Sequence, residues 1–195
     1  MFDGKSTTGW RGFGKITFPS QGWKIIHGCL VHEAKGGGGD IVTEGTYQEF
    51  DLEWEWKVAP GANSGLKYFI VEERHAPIGH EYQMIDDERH SDAKTGPLHQ
   101  TASFYDVLPP NHPETRKAGK WNRSTIKIRG NIVQHWLNGR LALQYELGSS
   151  EVMVAVARSK FKNVDGFGKA LAGHILLQDH GDEVWFRNIR IRQNP

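Results

Sequence analysis

The stretch Asp51-Leu52-Glu53-Trp54-Glu55-Trp56-Lys57-Val58 alternates without a break. Leu52, Trp54, Trp56 and Val58 fall on one side and Asp51, Glu53, Glu55 and Lys57 on the other, the period of two that a β-strand presents. Two indoles and two aliphatic side chains on one face require a second layer to cover them. Trp54 and Trp56 are therefore read as core.

Weaker copies of the signal recur along the chain. Trp23 to His27 and Cys29-Leu30-Val31 flank His27-Gly28. Ser124 to Arg129 and Ile132 to Leu137 flank Gly130-Asn131, and Asn138-Gly139 precedes Leu141-Ala142-Leu143. Tight-turn dipeptides between short strands mark hairpins strung into a meander. Leu66 to Val71, Glu81 to Ile85, His174 to His180 and Trp185 to Ile191 add further strands. No segment sustains a 3.6-residue period; Val152 to Ala157 is apolar but short and β-branched, so a helix there is marginal. The 23 glycines suit a fold of many tight turns. The expectation is an all-β two-sheet sandwich or jelly roll, a single domain over residues 1–195. An irregular insertion around 88–120, carrying Pro97, Pro109, Pro110 and Pro113 with His90, His99 and His112, is expected to be functional or disordered.

Several function classes drop out. Lys and Arg number 24 against 23 Asp and Glu, so no global field favours nucleic acid or an anionic membrane. No apolar run is long enough for membrane insertion, and the first residues lack the basic-then-apolar pattern of a signal peptide. Cys29 is alone, which excludes an internal disulfide and a cysteine zinc site. There is no Gly-x-Ser-x-Gly elbow, His-Glu-x-x-His or P-loop, and Gly36 to Gly39 lacks the strand-to-helix setting of a phosphate cradle. Neither the compartment nor the oligomeric state is specified by these patterns.

What remains is polar chemistry carried on strands. Gln178-Asp179-His180-Gly181-Asp182 runs straight into Val184-Trp185-Phe186-Arg187, and strand parity puts His174, Gln178 and His180 on one side and Asp179 on the other. Glu81 and Gln83 share a face, Lys67 projects from its strand, and Glu53 and Glu55 line the charged side of theirs. Asn63, in Pro60-Gly61-Ala62-Asn63-Ser64-Gly65, reads equally as a ligand contact or as turn geometry. Carboxylates and amides that bind hydroxyls in pairs, beside an aromatic such as Trp185 that stacks on a sugar ring, equip a site for a small carbohydrate. Ten histidines also admit a divalent metal, but they are scattered along the chain, so no ligand set is assigned and no cofactor is evident.

Phe2-Asp3-Gly4-Lys5 with Gly9-Trp10, the Pro60 to Gly65 turn, Glu81-Tyr82-Gln83-Met84-Ile85-Asp86-Asp87, Gly119-Lys120-Trp121-Asn122, His135-Trp136-Leu137-Asn138-Gly139 and Gln178-Asp179-His180-Gly181 resemble, in order, the DUF1080 or 3-keto-disaccharide hydrolase domain family. The resemblance implies a concanavalin A-like jelly roll whose concave sheet holds the site. It also implies a glycoside hydrolase activity on sugars oxidised to a ketone at C3, and a periplasmic or secreted setting.

A C3 ketone acidifies the C2 proton, so a base can remove it, an electrophile can hold the enolate, and the C1 substituent can leave before water adds. The candidates for catalysis are Glu81, His180 and Glu55. Those for substrate binding are Glu53, Asn63, Lys67, Gln83, Gln178, Asp179, Trp185 and Arg187. Lys67 or Arg187 is the enolate stabiliser, with a metal held by His180 and carboxylates as the alternative. Two other readings stand beside this one: a two-carboxylate glycosidase using Glu53 or Glu55 with Glu81, and a carbohydrate-binding module without catalysis.

Overall fold

The computed structural model describes residues 1–193. The chain forms β1 (Trp10–Gly12), β2 (Trp23–Ile26), β3 (Cys29–His32), β4 (Ile41–Thr43), β5 (Phe50–Val58), β6 (Asn63–Ile70), β7 (His80–Ile85), β8 (Asn122–Arg129), β9 (Ile132–Leu137), β10 (Arg140–Glu146), α1 (Ser150–Arg158), β11 (His174–Leu177) and β12 (Val184–Gln193). The strands make two antiparallel sheets, one of five strands in the order β1-β4-β11-β6-β7 and one of seven in the order β10-β9-β8-β5-β12-β3-β2. This is an all-β jelly-roll sandwich.

The alternation of β5 carries through to packing. Phe50, Leu52, Trp54, Trp56 and Val58 enter the core between the sheets, where Leu66, Tyr68, Tyr82 and Met84 of the facing sheet meet them. Trp54 crosses Tyr82 edge-on with ring centroids 5.0 Å apart. The polar tips of Trp56, Ser124 and Tyr82 find partners in this layer, where an unpaired buried donor costs about 1–3 kcal/mol. Trp56 Nε1 donates to Ser124 Oγ at 2.8 Å, and Ser124 Oγ donates to the Tyr82 hydroxyl at 2.9 Å.

Bulges in β6 and β12 reset strand parity. His174 pairs with Ile70 and Leu176 with Lys67, so Tyr68 and Phe69 both stand opposite Ile175, with Phe69 at φ 61°. A left-handed conformation is costly for a bulky residue and is held here by close packing. A Cβ on Gly173 would lie 2.5 Å from the Phe69 carbonyl carbon. In β12 the register shifts between Arg187 and Arg190 around Asn188, at φ 53°.

The segment Val152 to Ala157 is helical, against the sequence expectation. Ser149 caps α1 by accepting from the Val152 N–H at 3.3 Å, and Val152 and Val156, one turn apart, bury into the core. Capping and tertiary burial overcome the low intrinsic propensity. The 88–120 segment is ordered, with short 3₁₀ turns at Ala93–Thr95 and Pro97–His99; it buries Ala102, Phe104, Val107 and Leu108 against the core. Among the described residues no helix is long and apolar enough to cross a membrane.

Candidate functional site

A cavity of about 390 Å³ opens on the outer face of the five-stranded sheet. Because Leu66 and Tyr68 of β6 point into the core, Asn63, Gly65 and Lys67 point outward. Their cross-strand partners on β7 are Ile85, Gln83 and Glu81. Gln178 and His180, just past β11, complete the floor. The loop before β7 supplies Pro77 and Ile78, the 88–120 segment supplies Tyr105, and the turn after α1 supplies Lys160, Phe161 and Val164. These loops explain why Asn63, Lys67, Glu81 and Gln83 are buried although they sit on an outer face.

Glu81 is the carboxyl of the floor. Burial raises its pKa, against the opposing charges of Lys67, Lys160 and His180, while Asp40 adds to the rise. Lys67 Nζ stands 3.8 Å from Glu81 Oε2 and donates to the Pro77 carbonyl at 3.3 Å. Glu81 lies across Gly65, where a Cβ would sit 2.2 Å from Oε1. On the other side of the floor, Asn63 Nδ2 lies 3.4 Å from His180 Nε2, and the Asn63 backbone N–H donates to Asp182 Oδ2 at 2.9 Å. Asn63 Oδ1 and Gln178 Oε1 are buried acceptors with no protein partner. Buried polar atoms of folded proteins are normally paired, so two orphans in one cavity call for a ligand that donates to them.

Asp179 faces away from this cavity, as its parity requires. It accepts from Gly39 N–H at 3.0 Å and Gly181 N–H at 2.8 Å and lies 3.0 Å from Nε2 of the buried His32. Its own N–H donates to Asp40 Oδ1 at 2.8 Å. Asp179 and His32 thus tie the 178–182 turn to the glycine run. Asp40 escaped the sequence reading because it follows that run and belongs to no strand pattern. Burial raises its pKa, opposed by the Lys67 charge and the Asp179 N–H. Tyr105 and Lys160 were missed for a similar reason, since both reach the site from connecting segments. His174 shares the predicted side but donates to or accepts nothing in the cavity; its Nδ1 lies 2.7 Å from the Thr43 carbonyl, beyond the β6 bulge.

Four of the predicted residues lie elsewhere. Glu53, Glu55, Trp185 and Arg187 project from the outer face of the seven-stranded sheet, on the far side of the sandwich. Glu55 pairs with Arg187 at 2.7 Å and accepts from Asn188 Nδ2 at 2.8 Å, and Glu53 pairs with Arg123. Lys57 Nζ covers the Trp185 ring at 4.3 Å, and the Arg187 guanidinium covers Trp121 at 4.0 Å. Strand alternation separates inside from outside but does not say which sheet a strand joins, and that is why the two sets were merged. No carboxylate pair of Glu81 with Glu53 or Glu55 exists, so the two-carboxylate arrangement built on them is not formed. Arg187 is likewise too far away to hold an enolate beside Glu81.

His90, from the 88–120 segment, brings a ring nitrogen within 4.8 Å of ligand atoms of His180 and Asp182. His90 Nδ1 accepts from the Asp92 N–H at 3.1 Å, so in the neutral ring the proton is on Nε2.

A jelly roll with a loop-walled pocket, buried titratable groups and unmet acceptors is a site suited to a small ligand that donates hydrogen bonds, such as a sugar. The chain belongs to the 3-keto-alpha-glucoside-1,2-lyase-like domain family, which matches residues 1–192. It is 36% identical over 224 residues to a 3-keto-disaccharide hydrolase of Bacteroides thetaiotaomicron, a match covering 98% of this chain and 77% of that protein. A crystal structure of a glycosyl-hydrolase candidate from Parabacteroides distasonis superposes with a TM-score of 0.89 at 28% identity, covering all of this chain and 92% of the other. A carbohydrate-binding module of Bacillus subtilis shares the fold alone, with a TM-score of 0.58 at 13% identity over 95% of this chain and 96% of that one.

Proposed function

We propose that this enzyme cleaves glycosides or disaccharides carrying a ketone at C3, by elimination across C1 and C2 followed by hydration. The observation that carries the reading is Glu81, a buried carboxyl biased toward its neutral form and set across one floor from an imidazole. A neutral carboxyl is a proton donor and a neutral imidazole is an acceptor. His180 Nε2 takes the C2 proton, and the electrons move to the C3 oxygen as an enolate held by the Lys67 ammonium. The enolate then re-forms the ketone as the C1–O bond breaks, and the departing oxygen takes the proton of Glu81. Water adds at C1 of the resulting enone while a proton returns to C2, which gives the free 3-keto sugar.

Incubation with a 3-keto disaccharide in D₂O tests this, with NMR following release of sugar and incorporation of deuterium at C2. The expected result is cleavage with deuterium at C2 and no cleavage of the unoxidised disaccharide. Equal rates on both forms would overturn it.

A second reading, favoured by the His90–His180–Asp182 cluster, places a divalent cation there as the electrophile in place of Lys67 alone. It requires the Asp92-to-His90 hydrogen bond to open so that a ring nitrogen is free. Metal analysis after dialysis, with and without chelator, decides between the two: retention of one ion per chain, lost in His90→Ala, supports the cation, and turnover unchanged by chelator removes it.

A further inference from the structure

The cavity is divided chemically. Its floor carries two buried acceptors with no protein partner, Asn63 Oδ1 and Gln178 Oε1. Its wall is the reverse, because the polar groups of Pro77, Ile78, Tyr105 and Phe161 are already engaged. The Pro77 carbonyl accepts from Lys67 Nζ at 3.3 Å and the Ile78 carbonyl from Arg74 Nη1 at 3.3 Å. The Tyr105 hydroxyl donates to Asp92 Oδ2 at 2.9 Å, away from the cavity. The Phe161 N–H donates to Ser159 Oγ at 3.0 Å, and the Phe161 carbonyl accepts from the Val164 N–H at 2.9 Å. The side chains left facing the ligand are Pro77, Ile78, Val164 and part of Phe161, whose ring stacks on Phe167 with centroids 4.3 Å apart, while Lys160 Nζ is seated 4.2 Å over the Tyr105 ring.

A group rich in hydroxyls gains less from such a wall than a flat apolar group does. Each hydroxyl turned toward it leaves water without acquiring a partner, which is unfavourable. A flat apolar group loses no hydrogen bond there and removes its own surface, and that of the wall, from water. The volume of 390 Å³ sits near the lower end of the ~300–1,000 Å³ range of small-molecule pockets, which suits a sugar ring plus one further ring rather than a polysaccharide chain.

We infer that the glycone hydroxyls are read by Asn63 and Gln178, and that the leaving-group subsite, walled by Ile78, Phe161 and Val164, is built for a planar aromatic aglycone in preference to a second sugar. This rests on the glycoside-cleaving reading above. The Lys160 ammonium at the rim adds a cation that suits an aglycone bearing a phenol or carboxylate at its outer edge.

The test compares a 3-keto benzyl glucoside with a 3-keto glucosyl disaccharide of the same anomeric configuration. Benzyl alcohol is chosen over phenol because it is no better a leaving group than a sugar hydroxyl, so a difference reports the subsite. The expected kcat/KM favours the benzyl glycoside by about tenfold or more, as burial of an additional aromatic ring predicts. Ile78→Asn should remove most of that preference by slowing the benzyl glycoside about tenfold more than the disaccharide. Equal or better turnover of the disaccharide, or an Ile78→Asn variant that slows both substrates alike, overturns the inference. If neither substrate is cleaved, the failure lies with the reaction, and calorimetry with unoxidised benzyl glucoside and disaccharide still decides the subsite. Tighter binding of the benzyl compound, weakened by Ile78→Asn, supports it; equal affinities refute it.

Discussion

The outer faces of the two sheets are built from the same strand alternation and end in opposite electrostatic states. On the seven-stranded sheet Asp51, Glu53 and Glu55 of β5 are each matched to arginine. Asp51 accepts from Arg129 and Arg192 at 2.9 and 2.6 Å, and Glu55 from Arg187 and Asn188, both at 2.8 Å. Partial burial pushes both carboxyls up, yet these partners hold their pKa below the ordinary value. On the five-stranded sheet Glu81 has one ammonium at 3.8 Å and a roof of loops, and burial wins. A carboxyl at an outward strand position is therefore an ion-pair member with a depressed pKa where the face is open and a group with a raised pKa where loops cover it.

Breaking the covered face has the largest expected effect. Glu81→Gln should lower kcat/KM on a 3-keto glycoside by about 10²–10⁴-fold, the usual worth of a positioned acid. Its stability should move the other way. A carboxyl whose folded pKa is raised contributes stability that is fully present below its unfolded pKa and lost as pH rises through the folded value. Glutamine resembles the neutral form, so the variant should match the parent near pH 4 and exceed it in Tm by a margin that grows as pH rises above the unfolded carboxyl's value of about 4.3. Thermal scans across that range check the sign. A margin that shrinks as pH rises contradicts a raised Glu81.

Gly65→Ala tests the same face through shape. The added Cβ would stand 2.2 Å from Glu81 Oε1, so the carboxylate must swing off β6. Displacing a catalytic group by about 1 Å costs on the order of 10²-fold, and overpacking costs about 1–3 kcal/mol. The expected kcat/KM lies above that of Glu81→Gln and well below the parent. Turnover at the parental rate would mean that Glu81 works from another position.

The contrast also shows what was readable beforehand. Alternation in Asp51 to Val58 and the dipeptides His27-Gly28, Gly130-Asn131 and Asn138-Gly139 located β5 and three hairpins, because period and turn chemistry are local properties. The parity of Gln178, Asp179 and His180 also survives in the structure, with the first and third in the cavity and the second against His32. Which sheet each strand joined was not readable, since topology depends on long-range pairing. Hence Glu53, Glu55, Trp185 and Arg187 were grouped with Glu81. Asp40, Tyr105 and Lys160 lie in connecting segments, where neither period nor turn type says what a side chain will face. The αL residues Phe69 and Asn188 shift parity by one, which no alternation count detects.

The smallest effect is expected on the open face, and its sign is diagnostic. Glu55→Gln removes a carboxylate held 2.7 Å from Arg187, whose guanidinium stays stacked on Trp121 at 4.0 Å. An ion pair with this much exposure contributes up to about 1 kcal/mol, and salt screens it. Because the folded pKa of Glu55 is depressed, its contribution is present above the unfolded pKa and lost as pH falls through the folded value. The variant should therefore be slightly less stable than the parent at neutral pH and converge with it in acid, the reverse of Glu81→Gln. Its kcat/KM should stay within about twofold of the parent, since electrostatic influence on the cavity must cross the whole sandwich. Parallel scans of the two variants give slopes of opposite sign if the two faces differ as described. Slopes of the same sign would show that cover by loops does not separate them.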